Sequence, residues 1–186
     1  MISIDGEDII GLTIDAENAY EITIDGEVAW VATVDPVSYG FEDMSPWTIY
    51  NGGQNNNRVK EGSYSYYSGN NGSNKQAEAT PFPSGEKITQ FKYFYQETSN
   101  SHGHGVQLFN SNGDLEGGTA TDNPEWDVDF ANTGPGQVSG GGNYDEWVGV
   151  TWGFDWPNNQ VTVSRGGSDP HTGTYNLKQG VDISKI

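Results

Sequence analysis

The stretch Trp147–Val163, WVGVTWGFDWPNNQVTV, decides the fold class. Val148, Val150, Trp152, Phe154 and Trp156 occupy every second position, with Gly149, Thr151, Gly153 and Asp155 between them. A helix of about 3.6 residues per turn would scatter these side chains around its circumference, whereas a strand collects them on one face. Pro157-Asn158-Asn159 then supplies turn residues, and Val161-Thr162-Val163 resumes the alternation. The expectation is a pair of strands with one apolar face, which a second sheet must cover.

Working outward, the same pattern recurs. Gln90-Phe91-Lys92-Tyr93-Phe94-Tyr95 reads as a strand. Val106-Gln107-Leu108-Phe109 and Leu115 flank Asn110-Ser111-Asn112-Gly113-Asp114, a hairpin signal because Asn, Gly and Asp tolerate turn geometry. Loops rich in Gly, Asn and Ser are expected at Asn51–Asn57, Ser68–Asn74, Thr98–Gly105 and Asn132–Asn143. With 26 glycines and 12% aromatic residues in 186, the composition is that of an all-β chain with many turns. The expected fold is a jelly-roll β-sandwich preceded by a small antiparallel β-meander.

The meander is read from the start of the chain, ISIDGEDIIGLTIDAENAYEITIDGEVAW, where Ser/Thr-Ile-Asp-Gly/Ala-Glu recurs every ten residues. Ile4, Ile10, Leu12, Ile14, Tyr20, Ile22, Ile24, Val28 and Trp30 share one parity, and the acidic residues mostly take the other. Directly paired residues across a two-residue hairpin loop differ in parity. An all-even apolar face therefore needs either a three-residue loop such as Asp25-Gly26-Glu27 or a bulge after a two-residue turn. So short a meander buries little by itself. Its apolar face is expected to pack on another surface: the main domain, a copy of itself, or a larger assembly. The assembly reading, with an oligomer, is the one adopted. Asp35-Pro36 marks the expected boundary, giving residues 1–37 for assembly and 38–186 for the sandwich.

Charge narrows the function classes. Eight Lys and Arg face 26 Asp and Glu, for a formal net charge of −18. Nucleic acid and anionic membrane are disfavoured partners, because binding either depends on basic residues neutralising phosphates. Self-repulsion at this charge is relieved in molar salt, where the Debye length falls to about 3 Å, and a halophilic source is expected. The alternative is an ordinary acidic protein. No cysteine is present, so disulfides and thiolate metal sites are excluded. No basic segment followed by an apolar run opens the chain, and synthesis in a cytoplasm without a signal peptide is expected.

Candidate chemistry is sparse. In Pro124-Glu125-Trp126-Asp127-Val128-Asp129-Phe130, strand geometry would put Glu125, Asp127 and Asp129 on one face. Neighbours two apart lie about 6–7 Å apart along the strand, compatible with a carboxylate pair for glycoside hydrolysis. The alternative is a solvent-facing acidic strand. His102 and His104 lack a third ligand nearby in sequence, and no metal site is assigned to them. No cofactor is expected. Structural calcium is conceivable, with Asp43, Asp114, Asp122 and Asp129 as candidate oxygen donors. Tyr66, Tyr67, Trp126 and Tyr144 lie beside polar loops and are candidates for stacking on glycans, with Tyr64 in the same run.

Two resemblances extend these readings. Phe41-Glu42-Asp43, Trp47, Glu61-Gly62-Ser63-Tyr64-Ser65, Val106–Asp114, Tyr144-Asp145-Glu146-Trp147-Val148-Gly149-Val150 and Phe154–Asn159 occur in an order similar to LamG-like, concanavalin-type jelly rolls. The acidic strand resembles the Glu-x-Asp-x-x-Glu signature of laminarinase-like hydrolases. That resemblance implies Glu125 as nucleophile and Asp127 as assisting residue, while Asp129 stands in place of the expected glutamate. The ten-residue repeat resembles amino-terminal parts of structural proteins of tailed viruses, notably those infecting haloarchaea. It implies a non-enzymatic virion protein, exposed as a capsid decoration, turret, spike or tail fibre. Its partners would be other virion proteins and host-surface glycans. The alternatives are a laminarinase-like glycosidase and a free carbohydrate-binding module.

Overall fold

The computed structural model describes residues 21–24, 27–31, 40–67, 76–96, 104–122, 125–130, 136–138 and 145–186. The chain divides into two compact units, Met1–Tyr39 and Gly40–Ile186. In the first, β1 (Glu21–Ile24) and β2 (Glu27–Val31) form an antiparallel hairpin. Ile24 pairs with Glu27, and a register shift follows, so that Ile22 faces Trp30. This is the bulged alternative. The extra residue in β2 restores matching parity after a two-residue connection, keeping Ile22 and Trp30 opposite each other. Ile4, Ile10, Leu12, Ile14 and Tyr20 lie outside the described residues.

The second unit is a β-sandwich. Its strands are β3 (Trp47–Ile49), β4 (Gly53–Asn55), β5 (Ser65–Tyr67), β6 (Ala77–Ala79), β7 (Gln90–Gln96), β8 (His104–Phe109), β9 (Leu115–Asp122), β10 (Glu125–Asp129), β11 (Gly136–Val138), β12 (Trp147–Asp155), β13 (Gln160–Arg165) and β14 (His171–Asn176). One four-stranded sheet runs in the order β11-β10-β9-β8, a meander of consecutive strands. The other runs β14-β13-β12-β7, so the first meander is inserted between two adjacent strands of the second sheet. Short ribbons β3-β6 and β4-β5 complete the described strands.

The alternation in β12 and β13 does what the sequence demands. Val148, Val150, Trp152, Val161 and Val163 are fully buried, and they meet Leu108, Val128 and Phe130 of the facing sheet. Phe130 meets Trp152 edge-on at 5.3 Å between centroids. That ring fits because residue 117 is glycine: a Cβ there would lie 2.1 Å from it. The turn after β12 is closed by Asn159, whose N–H donates to the Trp156 carbonyl at 3.1 Å, while Asp155 accepts from the Asn158 amide group at 2.8 Å. The Asn110–Asp114 hairpin also forms. Asn110 Oδ1 accepts from the N–H groups of Asn112 (3.0 Å) and Asp114 (2.9 Å).

Asn51–Asn57 departs from the expected loop, because Gly53–Asn55 pairs with Ser65–Tyr67 as a ribbon. His104 likewise begins β8 instead of closing a loop, since its backbone pairs with Thr121. Sequence alone gave no sign of the carboxy-terminal segment's course. Ile186 exchanges hydrogen bonds with Ala79 (2.9 and 3.1 Å), Ile183 exchanges them with Glu86 (2.8 and 2.9 Å), and Phe109 donates to Lys185 (2.8 Å). The segment thus fills the space between Ala79–Glu86 and the end of β8, and buries Ile183 in the core.

Its anchor is Glu116, fully buried on β9. Oε2 accepts from the N–H groups of Gln179 (3.1 Å) and Gly180 (2.8 Å), and Oε1 accepts from Val181 N–H (3.1 Å) and the Asn110 amide (3.1 Å). Four donors replace the water that a buried carboxylate loses, which is the condition for tolerating such a group in a core. Asp182 then takes Ser111 through both its N–H and hydroxyl at 2.7 Å, tying the hairpin to the same segment.

Candidate functional site

Two surfaces hold the residues singled out from sequence. The first is the outer side of β10. Val128 and Phe130 point into the core, so Asp127 and Asp129 occupy the opposite face, as alternation requires. In the register, Asp127 stands opposite Ala120 on one side and Gln137 on the other, and Asp129 opposite Gly118, so the β9 side of the carboxylates is lined by small residues. Asp129 accepts a hydrogen bond and ion pair from Lys178 Nζ at 2.9 Å. Asp127 Oδ1 is buried with no hydrogen-bond partner among the described residues. Glu125 pairs by backbone with Asp122, next to the end of β9, but its side chain, like those of Trp126 and Asp122, lies outside the described residues.

Among the described residues, no three His, Asp or Glu side chains come together as a metal site. Asp43 instead closes a local turn, accepting from both the N–H and the hydroxyl of Ser45 at 2.8 Å, and these bonds hold its pKa below the ordinary aspartate value. Asp114 is exposed at the hairpin tip.

The second surface is aromatic, on the β3-β6 and β4-β5 ribbons. Phe41 stacks on Trp47 at 4.5 Å and on Tyr66 at 5.5 Å between centroids. The Tyr66 hydroxyl donates to the Asn51 carbonyl, and partial burial raises its pKa. Tyr66 is therefore a packing residue whose ring and hydroxyl are both engaged. Glu42 braces the same corner, accepting from the N–H groups of Ser63 (2.6 Å) and Tyr64 (2.8 Å).

This packing leaves Tyr50, Tyr64 and Tyr67 exposed at 58%, 40% and 42%. Tyr67 stands opposite Gly53, where a Cβ would meet nothing within 4 Å, so open space borders this ribbon position. Tyr50 directs its hydroxyl to Glu78 at 3.3 Å, and the neighbouring carboxylate raises its pKa. Exposed rings beside carboxylate and amide groups are the ingredients of a surface that stacks on a sugar face and bonds its hydroxyls. Sequence reasoning missed Tyr50, because Trp-Thr-Ile-Tyr reads as a strand end with no mark of exposure. Tyr144 lies outside the described residues.

The cations are mostly spent on internal contacts. Arg165 is buried and donates to the Tyr95 hydroxyl and the Asp169 carbonyl, each at 2.9 Å. Arg58 pairs with Asp145 at 2.5 Å, and Lys185 lies over Phe109 at 4.4 Å while approaching Glu78 at 3.6 Å. Lys60 and Lys92 both lie over the Phe94 ring, at 5.3 and 4.7 Å. Such engagement leaves the acidic residues to set the character of the surface.

No family model matches the chain, and no curated protein matches it. Among the described residues, no helix is long and apolar enough to cross a membrane.

Proposed function

We propose that this chain is a structural protein of virus particles assembled at high salt. Residues 1–37 would be the attachment element, and the sandwich a projecting domain whose exposed tyrosines touch host-surface glycans. The observation that carries the reading is the separation of the chain into two units of different character. Met1–Tyr39 contains nine of the 26 acidic residues and none of the eight basic ones, on a ten-residue alternating repeat. The sandwich has its own core, and in this reading the even-numbered apolar residues of the repeat are the ones that meet a neighbouring subunit.

Two experiments test the two halves of this reading. A chain lacking residues 1–37 is expected to fold, by circular dichroism and cooperative melting, yet fail to enter particles; entry of the truncated chain would overturn the attachment role. On a glycan array in molar salt, Tyr67→Ala and Tyr50→Ala are expected to lose binding that the parent shows. An array on which the parent binds nothing leaves an architectural role for the sandwich.

A second reading, a laminarinase-like glycoside hydrolase, is favoured by one observation: the buried Oδ1 of Asp127, without a hydrogen-bond partner among the described residues, two positions from the Asp129–Lys178 pair. Cleavage of a β-glucan by the parent chain, lost in Glu125→Gln, would establish that reading over the structural one.

A further inference from the structure

We infer that the edge strand β14 is a pairing surface on which a second copy of this chain adds antiparallel, joining two four-stranded sheets into one of eight across a two-fold axis. Among the described residues, β14 pairs with β13 through six successive register positions without a bulge, and no strand lies along its other side. One set of its backbone N–H and C=O groups therefore faces outward as a template for another strand.

Sheet edges are ordinarily blunted by charge, proline, bulges or brevity. His171-Thr172-Gly173-Thr174-Tyr175-Asn176 has no Asp, Glu, Lys, Arg or Pro. The other edges differ. The end of β8 is occupied by Ser184 and Lys185, β11 has three residues, and β7 carries Lys92 with Lys60 over its Phe94 ring.

Charge points to a second copy as the occupant. Two chains of net charge −18 repel wherever their carboxylates meet. The outer face beside β14 holds few of them: Thr162 and Ser164 of β13 and Thr151 and Gly153 of β12 continue the neutral rows begun by Thr172 and Thr174, with Asp155 at one end of the face and Asp169 just before the strand. Thr162 and Thr174 hydroxyls bond at 3.0 Å, and Thr172 donates to Ser164 at 3.3 Å, so this lattice is internally satisfied and ordered. On the inner side, the Tyr175 ring lies across Gly173, where a Cβ would be 2.6 Å from its oxygen, and its hydroxyl meets His171 Nε2 at 2.8 Å. These contacts fix side chains of the edge strand before a partner arrives, which lowers the ordering cost of association.

The register is constrained. Pairing must keep Thr172, Thr174 and Asn176 on the outer face in both copies, because a one-residue slip inverts every side chain. The two-fold axis therefore passes at a residue position, and Gly173 and Thr174, in the middle of the strand, give the longest overlap. A single strand pair buries less than the roughly 1,200–2,000 Å² of a standard stable interface, so the dimer is weak and forms at micromolar concentration or above. Salt must strengthen it, because the residual repulsion is screened as the Debye length shrinks from about 10 Å at 0.1 M to about 3 Å at 1 M.

Sedimentation velocity on the full chain, from micromolar to near-millimolar, tests this at those two salt concentrations, with hydrogen exchange read at low and high protein concentration. The expected result is a monomer–dimer equilibrium that tightens at least about tenfold in the higher salt, with added protection at residues 171–176. Thr172→Asp combined with Thr174→Asp places like charges across the axis in either register and is expected to weaken the dimer at least about tenfold. Thr172→Ser with Thr174→Ser is expected to retain it. A chain that stays monomeric throughout overturns the proposal. So does a dimer whose exchange is unchanged at 171–176, or one that survives the double aspartate variant in a folded state.

Discussion

The two sheets of the sandwich share a core but present opposite outer faces. The face of β10 carries Asp127 and Asp129 with Lys178 beside them, whereas that of β12–β14 carries mostly threonine, serine and glycine, with hydroxyl bonds joining Thr162 to Thr174 and Thr172 to Ser164 and a single carboxylate, Asp155, at its end. Both faces obey the same alternation, because both turn aliphatic and aromatic residues inward. The outward positions are thus free of the folding constraint, and what occupies them reflects surroundings and partners. In so acidic a chain, the neutral face is the departure, and it lies beside the edge proposed above for pairing.

If the faces differ only above a common base, removing that base must affect both sheets together. Trp152→Ala removes a fully buried ring that meets Phe91, Tyr93 and Phe130, and is expected to cost about 3–5 kcal/mol in denaturant melts. Loss of both sheets in one transition sustains the shared core; separate transitions would break the comparison at its root. Glu116→Ala ranks next. It strands four donors, at about 1–3 kcal/mol for each that stays buried and unpaired, and a loss of at least about 3 kcal/mol is expected. Hydrogen exchange should then rise first at Gln179–Ile186, where the carboxylate holds the chain.

Tyr93 links the two sheets, its hydroxyl bonded to Thr119 at 2.5 Å. Burial raises its pKa far above the ordinary tyrosine value near 10. In the unfolded chain this phenol ionises first, so its contribution is fully present below about pH 10 and is lost as pH rises toward the folded value. The expected decline is about 1.4 kcal/mol per pH unit, and Tyr93→Phe should flatten it in melts above pH 10.

The face-specific variants should be smallest. Lys178→Met breaks a half-exposed pair with Asp129 and is expected to cost about 0–1 kcal/mol, shrinking further in molar salt. Thr162→Val on the neutral face should change stability by no more than about 0.5 kcal/mol, with no salt dependence. Equal salt responses from these two variants would erase the distinction between the faces.

Much of the core was legible because period-two alternation is a local signal. Val148, Val150 and Trp152 announce their burial within five residues, and the Asn110 hairpin is written in its own turn chemistry. The bulge in β2 was legible as one of two alternatives, since parity alone demanded a correction. Glu116 was not legible: in Leu-Glu-Gly-Gly it looks like any surface glutamate, and its three backbone donors come from residues 179–181. Arg165 was hidden in the same way, because its tyrosine partner is 70 residues distant. At the candidate glycan surface, sequence marked the tyrosine run, but only packing separated Tyr66, spent on Phe41 and Asn51, from the exposed Tyr67 and Tyr50.

The all-β character of the chain, the turns of its central hairpins and the faces that must be buried are written in local periodicity and turn chemistry. Which carboxylate is caged, which tyrosines remain outside, and which edge strand has no neighbour among the described residues are settled by tertiary contacts. Those depend on segments that meet across long chain separations, where the partner of a donor, ring or strand edge is fixed by the fold and is not encoded beside it.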